Sequence, residues 1–150
     1  MAMARTHIIC FGNELHGDDG IGPAIHAELL KRQLPPEVRI FRADVSGLAA
    51  VHCFEQCDQA IVVDAVQGFG QAGSIHILQA EDIAEESTLS IHGHGVGNLL
   101  ALLPHLIDHP PRVKIIGIEL SETRAFANRL SPPVARAIAP ATERVLEAAR

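Results

Sequence analysis

"HIICFGNELHGDDGIGPAIHAELL" (7–30) changes character twice along its length. "HIICF" (7–11) is a continuous apolar run, as expected of a strand buried on both faces. "GNELHGDDGIG" (12–22) follows it, with four glycines around the adjacent acids Asp18 and Asp19. From Ile21 the apolar positions Ile21, Ala24, Ile25 and Leu29 recur at helical spacing, and Pro23 is tolerated in a first turn. A helix over 21–34 is expected. Strand, glycine-rich loop and helix form the opening unit of an α/β chain, and the pair of acids sits at its hinge.

The same alternation continues outward. "VRIFRA" (38–43) alternates like a strand, and "SGLAAVHCFEQC" (46–57) is helical in composition. "QAIVVDAV" (59–66) reads as a second buried strand, taken to end at Asp64. "GSIHIL" (73–78) suits an edge strand and "RVKIIGIEL" (112–120) an inner one. Helices are expected over 95–108 and 131–150, the latter with Pro132 and Pro133 early. Strands alternating with helices predict a single domain over 1–150. Its fold is a three-layer α/β/α sandwich on a mostly parallel, twisted sheet of about five strands. No internal repeat, linker or low-complexity stretch interrupts the chain.

Composition narrows the partners. Twelve basic residues stand against 18 acids, a formal net charge of −6, with no Trp, no Tyr and no Lys/Arg-rich block. That balance disfavours nucleic acid. No apolar run reaches the roughly 18–20 residues of a bilayer span, and no signal-peptide pattern opens the chain. Membrane association is therefore not expected. Cys10, Cys53 and Cys57 are an odd set without disulfide spacing, which fits a reducing cytoplasm.

In an open α/β sheet, functional groups collect beyond the carboxyl ends of the strands. Three places qualify: the loop with Asp18 and Asp19, the strand end at Asp64, and "SIHGHGVG" (90–97) with His92 and His94. Carboxylates and an imidazole meeting at one sheet edge suit a divalent transition metal or general acid–base catalysis. Each piece also has a plainer reading. Asp18 or Asp19 could cap the helix, Asp64 could order a turn, and a histidine in a glycine-rich loop is usually solvated. Cys53 and Cys57, beside His52, read as a packed helix face rather than a soft-metal site. No Lys-Ser/Thr follows the glycines, so they do not form a phosphate loop. Neither a Ser/His/Asp order nor a cysteine nucleophile stands out.

Four segments together resemble the hydrogenase maturation endopeptidases. "IICFGNELHGDDGIGPAIHAELL" matches the family's G-N-x-L-x-x-D-[DE]-G-x-G, and "DQAIVVDAV" its third strand. "SIHGHGVGNLLALL" and "VKIIGIELSETRAFANRLSPPVARAI" complete the order over nearly the whole length. The resemblance implies a protease that trims the C-terminal extension of the [NiFe] hydrogenase large-subunit precursor after nickel insertion. Carried over by position, Asp19, Asp64 and His92 are its nickel-binding and catalytic residues. Asp18 becomes a neighbouring acid that orients the loop, and His94 is a second imidazole beyond the family's pattern. The nickel would be carried by the substrate. A non-enzymatic nickel carrier would use the same ligands without cutting peptide. A nucleotide-binding module would need counter-charge where Asp18 and Asp19 stand.

Overall fold

The computed structural model describes residues 5–43, 48–85, 96–121 and 127–150. Five strands form one sheet: β1 (Thr6–Phe11), β2 (Val38–Ala43), β3 (Gln59–Val66), β4 (Ile75–Gln79) and β5 (Arg112–Glu119). Their order is β2-β1-β3-β5-β4, and every pairing is parallel except that of β4 with β5. The short return from β3 makes β4 an antiparallel edge strand, as its alternating sequence suggested.

Inner strands buried along most of their length must be covered on both sides. On one face Ile8, Cys10, Ile61, Val63, Ile116 and Ile118 pack with α1 (Ile21–Leu29) and α4 (Pro132–Ala148). On the other, Ile9, Phe11, Val62, Val66 and Ile115 meet a 3-10 helix (Leu48–Phe54) and α3 (Asn98–Leu106). The result is the three-layer sandwich.

Five local readings change. α1 stops at Leu29 rather than Leu34, because its end tightens: the Lys31 and Arg32 N–H groups donate to the Glu28 and Leu29 carbonyls three residues back, and Leu34, which precedes Pro35, is pushed out of the helical region. The 46–57 segment tightens into 3-10 geometry over Leu48–Phe54, and α3 spans only Asn98–Leu106. A short α2 (Ala80–Glu85), absent from the sequence reading, starts where the Asp82 carboxylate accepts the Gln79 N–H at 2.8 Å, half of a capping box. Finally, Asp64 does not end β3. Ala65 and Val66 continue the ladder opposite Ile118 and Glu119.

The chain passes from β1 to β2 on one side and then crosses to β3 on the other, so the sheet's switch point lies between β1 and β3. Ligand crevices in such sheets open there, at the carboxyl ends. β1 pairs with β3 only as far as Cys10 opposite Val63. From Asp64 onward, the β1-facing edge of β3 is left to the loop that follows β1.

Candidate active site

That loop is built by close approach. Gly12 has φ +145°, and a Cβ there would lie 2.1 Å from the Asp19 carbonyl oxygen. Gly22 starts α1 so near the end of β1 that a Cβ would lie 1.9 Å from the Phe11 carbonyl oxygen. Both sites exclude any side chain. Between them Gly17–Gly20 forms a 3-10 turn that packs against β3, the strand carrying Asp64.

Asp19 is buried in this turn, and its Oδ2 accepts the Asn13 N–H at 2.8 Å, closing the loop on itself. Asp64 is also buried, with Oδ1 accepting the Ala65 N–H at 2.9 Å. By its parity on β3 it shares a face with Val62 and Val66, the face covered by α3. Asp19 thus lies in a turn packed against β3, the strand that carries Asp64.

Asp18 has a different task. Its carboxylate is fully buried and does not cap α1, whose N-cap is Gly20. Instead Oδ1 accepts the Ser131 N–H at 2.6 Å, while Oδ2 accepts the Ser121 N–H and the Ser131 hydroxyl, each at 2.8 Å. Ser121 follows β5 and Ser131 is the N-cap of α4. One acid therefore holds both feet of the connection from β5 to α4, and its charge lies at the positive end of that helix. The capping reading is corrected: the partners are distant in sequence, so local spacing could not reveal them.

His92 and His94 lie outside the described residues. Among the described residues no three acids, histidines or cysteines gather as a metal shell. α3, which follows the His92 segment, belongs to the layer that Asp64 faces.

Sequence reasoning missed Glu119. It ends β5, is buried, and accepts Gly68 N–H at 2.7 Å and Phe69 N–H at 3.0 Å. An acid closing an apolar strand was the same signal that drew notice to Asp64. His76 Nε2 lies 3.2 Å from Glu119 Oε1 and 3.0 Å from Ser74 Oγ. Serine, histidine and acid meet here without making a nucleophilic triad. The acid and the serine share one ring nitrogen, and the serine hydroxyl donates to the Gln71 carbonyl at 2.5 Å. His76 also stands apart from Asp64: Gly117 lies between them in register, and Val66 and Leu78 fill the space above it.

The thiols are no better placed as nucleophiles. Burial pushes Cys10 up to about 12, and burial with the neighbouring Asp58 charge pushes Cys57 up to about 11. Burial also raises Cys53. All three remain protonated at neutral pH, as packed side chains. Beside the acidic turn, a cavity of about 330 Å³ opens between Gly17 and the Ala127–Pro132 segment, with Arg129 in its wall.

A family model described as hydrogenase maturation protease matches residues 23–148. The chain belongs to the hydrogenase maturation protease family. It is accordingly a peptidase, and the carrier without peptidase activity is set aside. The hydrogenase-maturating endopeptidase HybD from Escherichia coli superposes with a TM-score of 0.83 at 28% identity, over 96% of this chain and 91% of that one. A hydrogenase 2 maturation peptidase from Thaumarchaeota archaeon SCGC_AB-539-E09 gives 0.70 at 29% identity, over 96% and 97%. The hydrogenase expression/formation protein HoxM of Azotobacter vinelandii is 29% identical over 98% of this chain and 73% of its own length. HupM of Azotobacter chroococcum mcd 1 is 27% identical over 89% of this chain and 66% of its own length. No helix among the described residues is long and apolar enough to cross a membrane.

Proposed function

We propose that this peptidase removes the C-terminal extension from a [NiFe] hydrogenase large-subunit precursor, and that it does so by reading nickel already seated in that substrate. The observation that carries the reading is the pair of buried acids, Asp19 and Asp64, drawn from separate elements to the β1/β3 crevice in a family of hydrogenase maturation proteases. Two carboxylates and one imidazole, His92, make a donor set that suits a borderline divalent ion.

A cleavage that must follow metallation needs a sensor, and ligands that are completed only by a metal-bearing substrate supply one. Asp19 is held ready by the Asn13 N–H and Asp64 by the Ala65 N–H, so little rearrangement is needed when the precursor docks. Substrate-borne nickel provides Lewis acidity beside the scissile carbonyl. Burial of the acids keeps water from competing for the ion. The chemistry then needs no side-chain nucleophile, in keeping with the protonated thiols and the mispaired Ser74 and His76. A reducing cytoplasm suits a chain with three free cysteines.

The test is a processing assay on nickel-loaded precursor. Asp19→Asn, Asp64→Asn and His92→Ala should each lose at least about 100-fold in rate while keeping a cooperative thermal transition, since each removes a group engaged with the reacting centre. His94→Ala should retain measurable cleavage. Normal processing by Asp19→Asn or Asp64→Asn would remove the crevice from the mechanism. A dead His94→Ala beside an active His92→Ala would move the ligand two residues along the loop.

A further inference from the structure

We infer that Glu119 is a positioning residue for Asp64, setting the place of that carboxylate by latching the chain where it leaves β3. The inference rests on the reading of Asp64 as part of the reacting site. β3 ends at Val66, two residues past Asp64, and the chain then turns back through 67–74 into β4. Glu119 holds that turn from both of its carboxylate oxygens. Oε2 takes the Gly68 N–H and Oε1 the Phe69 N–H, with His76 Nε2 also against Oε1. Its main chain grips the far side of the same turn. The Glu119 N–H donates to the Ser74 carbonyl at 2.9 Å, and its carbonyl accepts the Gly73 N–H at 2.7 Å.

Among the described residues, the last backbone bond holding the exit of β3 runs from the Leu120 N–H to the Val66 carbonyl at 2.9 Å. β1 stops pairing at Val63, so from Asp64 onward the regular ladder holds β3 from the β5 side alone. Beyond Val66, the side chain of Glu119 takes over from the ladder. Two consecutive N–H groups converging on a buried carboxylate form charge-assisted bonds, stronger than those of a neutral acceptor. Phe69, held by the same latch, sets its ring at a tilt against His76, with ring centroids 5.8 Å apart. The acid at the end of β5 is thus spent on geometry rather than on substrate.

The isosteric Glu119→Gln tests this. An amide has one acceptor oxygen, so its NH₂ group must face one of the two N–H donors and the latch opens. Processing of nickel-loaded precursor should lose about 10- to 100-fold in kcat, the range expected for slight misplacement of a reacting group, with KM changed less than about threefold. Amide exchange at Gly68 and Phe69 should accelerate, and the Asp64 carboxyl ¹³C resonance should move. His76→Phe, which removes only the third partner and keeps a ring against Phe69, should show the same pattern more weakly. That variant carries the test if Glu119→Gln does not unfold cooperatively. Unchanged kcat and an unmoved Asp64 resonance, with Gly68 and Phe69 exchanging faster, would overturn the inference. It would leave Glu119 as a structural brace. Full activity of Asp64→Asn in the same assay would instead strike the underlying reading of the site.

Discussion

Asp18 and Asp19 are adjacent, equally buried and chemically identical, yet the fold gives them opposite tasks. Asp19 Oδ2 accepts the Asn13 N–H of its own loop, while Asp18 binds Ser121 and Ser131 through three donors. Because both Asp18 oxygens act as acceptors, Asn is a poor substitute: its NH₂ group must confront a buried donor. Asp18→Asn should lower the free energy of unfolding by about 2–3 kcal/mol, the scale of a buried group left mispaired. Ser131→Ala, which removes the hydroxyl but keeps the N–H, should cost about 1 kcal/mol. Urea denaturation of the two variants checks this order, and equal losses would mean the carboxylate is not the organising centre. From the sequence, the resemblance already set Asp18 apart from Asp19 as the acid that orients the loop, but it did not show which groups Asp18 binds. The partners of Asp18 lie more than 100 residues away, beyond the reach of any spacing rule.

Among the elements, the strands were the most legible: β2 falls on the expected 38–43, and β3 covers the expected 59–66, running two residues past the end proposed at Asp64. β3 is a short, buried apolar run, while β2 shows the alternation of a half-exposed strand. Helices were read too long. α1 ends in a tight turn over Leu30–Arg32, short of the Pro35–Pro36 pair, and α3 begins three residues late. α2 was invisible because six residues carry little periodicity. The decisive junction is β1 to α1, where Gly22 lets the helix start against the strand's last carbonyl. Gly22→Ala would place a methyl group 1.9 Å from that oxygen, a contact backbone alone must relieve. It should destabilise the fold by about 3 kcal/mol, the upper range for overpacking, and lower activity because the turn bearing Asp19 shifts with the helix. A denaturation midpoint within error of the wild type would show that α1 can slide without cost.

Across the whole molecule, the sheet order β2-β1-β3-β5-β4 brings the first loop and the third strand to one crevice, as the alternating pattern of strands and helices anticipated. The third proposed ligand, His92, falls outside the described residues, so the resemblance and the position of α3 carry its assignment. The account's central claim is that the crevice reads metal on a protein substrate. It is tested most directly by offering the wild-type enzyme two preparations of one hydrogenase large-subunit precursor, with and without nickel, and following release of the C-terminal extension. Cleavage of the nickel-loaded form, with the nickel-free form left intact over the same period, is the predicted result. Equal cleavage of both would contradict it.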